Sequence, residues 1–117
     1  RYWFEPEGTD VIWHGVRLGQ PDWGENSHSL AFELVHSEVE EHLHVLLNAY
    51  WEPLEFELPQ LQEGQRWARL IDTARPYPED FSEPPALLPD KMASYSATAR
   101  SVVVLIEQQV GHEEVEG

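Results

Sequence analysis

Across residues 54–58 the chain reads apolar, charged, apolar, charged, apolar, with Glu55 and Glu57 set between Leu54, Phe56 and Leu58. A period of two is that of a strand with one face in a core and the other in water. Pro59 ends the run, because proline has no N–H to give to a sheet ladder. The same period recurs in short pieces. Leu30, Phe32 and Leu34 alternate with Ala31, Glu33 and Val35; Leu43, Val45, Leu47 and Ala49 alternate with His44, Leu46, Asn48 and Tyr50; Tyr95, Ala97 and Ala99 alternate with Ser94, Ser96 and Thr98. Residues 66–72 and 11–13 are further strand candidates. Helical periodicity is absent from every window longer than about two turns. Ser37-Glu38-Val39-Glu40 has the spelling of a helix capping box, but a strand pattern follows it at once. About seven short strands separated by turns predict an all-β fold, an antiparallel β-sandwich with Greek-key-like connections.

One run departs from the pattern. Val102, Val103, Val104, Leu105 and Ile106 are apolar on both faces, so this strand is expected to be covered on both sides. The connections carry turn chemistry: Pro21, Gly24 and Asn26 in residues 19–29, an acidic link at 37–41, and Gly64 in a hairpin-like spacing at 60–65. Residues 74–93 hold Pro76, Pro78, Pro84, Pro85 and Pro89, more than half of the chain's 9 prolines. That density predicts a long surface loop without regular structure. Residues 111–117 read as a flexible acidic tail. A chain of 117 residues fits a single domain over 1–117, large enough for one hydrophobic core.

Charge narrows the partners. The net charge is −15, with only 7 Lys and Arg in the chain. Phosphate binding needs clustered cations, so neither nucleic acid nor an anionic membrane is an expected partner. A neutral polysaccharide meets no such repulsion. No stretch nears the roughly 18 apolar residues of a membrane span, and no signal peptide is recognisable. There is no cysteine and no Asn-x-Ser/Thr sequon. These features together predict a cytoplasmic protein. The chain opens on Arg1 and then Tyr2-Trp3-Phe4; an aromatic cluster there reads as a severed connection to something upstream.

Few constellations carry chemistry. His42-Leu43-His44 places two imidazoles on one strand face, but a metal needs at least a third ligand. A cupin would have a carboxylate four or five residues beyond the pair, where this chain has Asn48 and Ala49. Beside Glu40 and Glu41, the pair reads as a solvated strand face. Most of the 22 acidic residues alternate with core positions and so face water. An acid catalyst needs an apolar pocket to raise its pKa, and no such pair is expected. There is no Gly-x-Ser-x-Gly, no phosphate loop and no His-Glu-x-x-His. Thus no catalytic residue, metal or cofactor is expected. The tryptophans remain. Trp13, Trp23 and Trp51 lie at strand ends or in loops, where a flat ring can meet a sugar or a neighbouring domain; Asn48, Asp22 and Glu52 lie near them in sequence. Trp67 sits within a strand and reads as core.

Several segments, in order, are similar to one family. Val11-Ile12-Trp13-His14-Gly15-Val16, Gln20-Pro21-Asp22-Trp23 and Ser27-His28-Ser29-Leu30-Ala31-Phe32 resemble the join between barrel and C-terminal domain in glycogen-debranching enzymes and bacterial isoamylases. Residues 47–59, Leu-Asn-Ala-Tyr-Trp-Glu-Pro at their start, resemble the family's mid-domain strand pair. Trp67 with Ile71-Asp72-Thr73-Ala74 and Ala99-Arg100-Ser101-Val102-Val103-Val104-Leu105 resemble its later strands. The resemblance implies a parent glycoside hydrolase of the α-amylase superfamily that cleaves α-1,6 branch points, with its catalytic carboxylates on a (β/α)8 barrel absent here. It implies a non-catalytic C-terminal domain that packs on and stabilises that barrel, with Trp13, His14, Trp23 and Trp51 as candidate contacts to barrel or glucan. Alone, such a domain is expected to expose an apolar patch and to self-associate through it. The alternative is a glucan-binding module acting through an exposed Trp.

Overall fold

The computed structural model describes residues 9–21, 28–36 and 41–110. Every regular element in them is a strand: β1 (Thr9–His14), β2 (Ser29–His36), β3 (Glu41–Asn48), β4 (Leu54–Glu57), β5 (Gln65–Asp72), β6 (Phe81–Leu87), β7 (Ser94–Ala97) and β8 (Ser101–Gln109). All pairings are antiparallel. A six-stranded sheet runs β1-β2-β3-β8-β5-β6, and β4 and β7 form a two-stranded sheet. The chain therefore crosses between sheets from β3 to β4, β4 to β5, β6 to β7 and β7 to β8, and the sandwich expected from the alternation is present.

The core lies where the small sheet covers the large one. Phe56, Tyr95 and Ala97 from β4 and β7 meet Ala31, Leu46 and Val103, all buried. Leu54, Phe56 and Leu58 do point inward, as their alternation with glutamates requires. Several polar groups taken inside find partners. The Tyr95 hydroxyl donates to Asp72 at 2.7 Å, the Trp67 indole donates to the Pro59 carbonyl at 3.1 Å, and the Arg66 guanidinium donates to the Leu88 carbonyl. Burial and then the Asp72 carboxylate push the Tyr95 hydroxyl up to about 12.

One expectation fails. Residues 74–93 are not loop throughout, because β6 occupies Phe81–Leu87 and carries Pro84 and Pro85 inside it. The physical reason is position. β6 is the last strand of the sheet, so a missing N–H can face away from its only partner, β5. Its register with β5 shifts between Arg69 and Ile71. The proposed tail at 111–117 lies outside the described residues.

Candidate functional site

The register of the large sheet decides which side chains share a face. Trp13 lies opposite Phe32, Phe32 opposite Val45, Val45 opposite Val104, Val104 opposite Ile71, and Ile71 opposite Phe81. Residues directly opposite in antiparallel strands lie on one side of the sheet. This is therefore a row of six apolar side chains that crosses every strand, none of them fully buried. A second row runs from Val11 through Leu34, Leu43, Ile106 and Ala68 to Leu87. A third joins Leu30, Leu47 and Val102. The core residues Ala31, Leu46, Val103 and Leu105 alternate with these positions, so the three rows form the sheet face turned away from β4 and β7.

The outer face of an antiparallel sheet is ordinarily polar. Here no charged residue occurs in the three rows, in a chain that is 25% charged. Val102 is 36% exposed, Trp13 44%, Leu87 48% and Phe81 53%. With strands about 4.8 Å apart and rows about 6.8 Å apart, the face covers on the order of 300 Å². The two-faced strand foreseen at 102–106 is β8, in the middle of this face: Val103 and Leu105 turn to the core, Val102, Val104 and Ile106 outward.

The candidate contact residues are not brought together. Trp13 stands on the outer face against Phe32, ring centroids 5.4 Å apart. His14, next along the strand, points to the opposite face and is 7% exposed, so it does not join Trp13 as a surface contact. Trp51 is 63% exposed beyond the end of β3, beside Tyr50. Trp23 and Asp22 lie outside the described residues. Asn48 is buried and its amide serves the backbone, so it is no sugar partner. Trp67 is core, 3% exposed.

The histidines form a buried network that their sequence neighbours concealed. Expected on a solvated face, His44 is fully buried, because β3 turns His44, Leu46 and Asn48 toward the core. On the same face His42 Nε2 lies 2.6 Å from Glu33, and His42 Nδ1 lies 2.7 Å from Glu107. Both ring nitrogens thus face carboxylates, the arrangement of an imidazolium. His14 Nδ1 accepts the Gly19 backbone N–H, so its Nε2 carries the proton donated to the other Glu33 oxygen at 2.7 Å. Burial would raise the Glu33 carboxyl, but hydrogen bonds from His42 and then His14 outweigh it and hold the group at about 2. Burial would lower His42, but hydrogen bonds to Glu33 and Glu107 raise it. His44 has no hydrogen bond to either ring nitrogen; burial lowers it to about 4, opposed by the Glu33 charge and helped by that of His42. The Glu57 backbone favours its charged form without reaching hydrogen-bond geometry.

This network is arranged for structure. Its acids and bases are committed to one another, and among the described residues no three His, Asp or Glu converge on a point where a metal could sit. A cleft of about 450 Å³ opens elsewhere, between residues 57–67 and 89–93, with Leu61 and Met92 on its walls and Glu63, Asp90 and Lys91 among its polar groups.

Comparison with known proteins agrees with this architecture. Residues 12–111 match the family model described as Isoamylase 1-3, C-terminal. The chain is 38% identical to rice Isoamylase 1, chloroplastic, over 76 residues, which is 65% of this chain and 9% of the rice protein. It is 34% identical to maize Isoamylase SU1, chloroplastic, over 76 residues, again 65% of this chain and 9% of the relative. Over 79 residues it is 34% identical to Arabidopsis thaliana Isoamylase 1, chloroplastic, 68% of this chain and 10% of that protein. The chain thus spans about a tenth of the length of these relatives. Their names correct one expectation. Each is chloroplastic, which points to a plastid rather than the cytoplasm; the absence of a recognisable leader in residues 1–117 was no guide to compartment.

Proposed function

The chain belongs to the isoamylase C-terminal domain family, and from that premise we propose that it is a single, non-catalytic accessory domain that packs on the catalytic barrel of an isoamylase-type debranching enzyme. The parent cleaves α-1,6 linkages in branched α-glucan, and its catalytic carboxylates lie on the barrel. The observation that carries this reading is the outer face of the six-stranded sheet. Two rows of apolar side chains cross all six strands and a third spans β2, β3 and β8, with no charge in any of the three. The occupant is the remainder of the parent polypeptide. The chain matches only about a tenth of its relatives, and the matching family is defined as C-terminal, so that remainder precedes this domain.

Magnitudes support the role. Covering on the order of 300 Å² of apolar surface is worth roughly 7 kcal/mol before costs. Within one chain the translational cost of docking is small, because the tether already holds the partners at high effective concentration. A patch of this size lies at the low end of interfaces between domains once flanking loops are added. Trp13 and Phe81 occupy the two ends of the first row, where they meet the barrel surface at the rim of the contact.

The test replaces Val104, at the centre of the face, with Glu. The isolated chain keeps its fold, because Val104 does not contribute to the buried core. The parent enzyme loses heat resistance and activity together as the domain detaches. A Val104→Glu parent with unchanged thermal inactivation would reject the reading. Self-association of the isolated chain at high concentration, reduced by the same substitution, is the accompanying expectation.

A further inference from the structure

The turn that follows β1 is held to the rest of the fold at few points. Its internal bonds are long: the Gly15 and Gln20 N–H groups both donate to the Arg17 carbonyl, at 3.2 and 3.3 Å. Among the described residues, three shorter bonds tie residues 15–20 outward. The Val16 carbonyl accepts the Glu57 N–H at 2.8 Å. The Leu18 N–H donates to the Glu57 carboxylate at 2.8 Å, and the Gly19 N–H to His14 Nδ1 at 2.6 Å. Two of these bonds therefore end on side chains that change charge. They differ in what a proton does to them. A carboxyl group that gains a proton still has an oxygen to accept with, whereas an imidazole nitrogen has one lone pair and loses it.

His14 Nε2 already carries a proton, donated to Glu33 at 2.7 Å. A further proton can go only to Nδ1, where it meets the Gly19 N–H donor to donor. The ring is poorly placed to turn away. It is 7% exposed, bonded to Glu33, and packed against the His44 ring with centroids 5.6 Å apart. The turn is free to yield instead, since Arg17, Gly19 and Gln20 are exposed. We propose that residues 15–20 form an acid-released latch, closed by the Nδ1 lone pair of His14 and opened when that nitrogen takes a proton. The groups around His14 fix the direction. Glu33 of β2 favours the doubly protonated ring and keeps its own bond, because Nε2–H donates in both states. His42 of β3, set between Glu33 and Glu107 of β8, opposes with its charge; His44 of β3 is neutral and adds none. Arg17 of the turn is exposed. Once Gly19 is released, the turn hangs on Glu57 of β4 alone. Leu18 and Glu57 both line the cleft beside residues 57–67, so release loosens one wall of that cleft. This goes beyond the docking role and does not depend on it.

The test is amide hydrogen exchange of the 117-residue chain, followed by NMR from about pH 7.5 to 5, the range in which hydrated imidazoles change charge. Each rate is corrected for the intrinsic pH dependence of exchange. The latch predicts that Gly19 protection falls with acid, approaching about tenfold per pH unit, the linkage of one proton to one opening. The Leu88 N–H, bonded to the Trp67 carbonyl at 2.9 Å, keeps its protection, which separates release of the turn from unfolding of the sandwich. His14→Asn sets a carbonyl oxygen near the position of Nδ1 and has no proton to gain, so Gly19 protection becomes independent of pH. His44→Leu removes the neighbouring core imidazole and leaves the Gly19 fall in place. Flat Gly19 protection in the wild-type chain, a fall matched at Leu88, an unchanged fall in His14→Asn, or its loss in His44→Leu overturns the proposal. The wild-type profile and His44→Leu decide the matter if His14→Asn does not fold. Failure of barrel docking with this fall intact leaves the latch standing.

Discussion

His44 brings two ring nitrogens into the core without a hydrogen bond, and the neutral form is the one the core tolerates. Its folded value of about 4 lies below its ordinary 6.5. The unfolded chain therefore binds the extra proton first as pH falls, and stability declines through the window from 6.5 to 4. The loss amounts to about 3 kcal/mol when complete. His44→Leu is expected to flatten this part of a urea-denaturation series taken between pH 4 and 7; an unchanged acid slope would show that His44 is not its source. Glu33 adds a second decline as pH falls from 4.5 toward 2. His42 works in the opposite sense: raised in the folded state, it contributes fully below 6.5 and is lost as pH rises through its folded value. Removing the shared carboxylate charge by Glu33→Gln leaves the His42 charge half paired, and costs about 3 kcal/mol near neutral pH in the same assay. Little of this was legible. In β3 the more apolar phase is Leu43, Val45 and Leu47, yet the phase of His42, His44, Leu46 and Asn48 is the one that meets β4 and β7, so the alternation alone points to the wrong face. The acidic neighbours Glu40 and Glu41 favoured a solvated reading that the sheet's true facing reverses.

Among the elements, legibility followed the strength of the local period. Residues 54–58 alternate apolar with charged and were correctly faced, whereas β6 was hidden by its prolines. Proline density predicts loop only where both edges of a strand must pair, and β6 pairs on one side alone. The turn after β1 shows how local geometry supports a distant site. A Cβ on Gly15 would collide with the Gln20 carbonyl oxygen, and Gly19, at φ +72, sends its N–H to His14. Gly15→Ala is expected to displace this turn, break the Gly19–His14 hydrogen bond, and destabilise the chain by about 2 kcal/mol, the scale of forced overpacking. Unfolding curves of the variant would test this. A midpoint equal to wild type would mean the turn relaxes without loss.

For the molecule as a whole, the sandwich class was legible from many short period-two runs, and the run at 102–106 stood out as apolar in both phases. The extent of the apolar face was not legible, because it depends on register: only the pairing of β8 with β3 and β5 assembles Val45, Val104 and Ile71 into one row. An acidic surface keeps such a domain soluble, and the three apolar rows, bordered on the same face by Glu41 and Arg66, are where the proposed docking would occur. The chain contains no cysteine, so a single introduced thiol reports on its own surroundings. The most direct test places Cys at Val102, 36% exposed on the outer face, and at Tyr77, 88% exposed, and follows alkylation of each site by mass spectrometry in the isolated chain and in the parent enzyme. The docking account predicts that the thiol at 102 reacts readily in the isolated chain and is protected in the parent, while the thiol at 77 reacts in both. Equal reaction at 102 in the two proteins would contradict it.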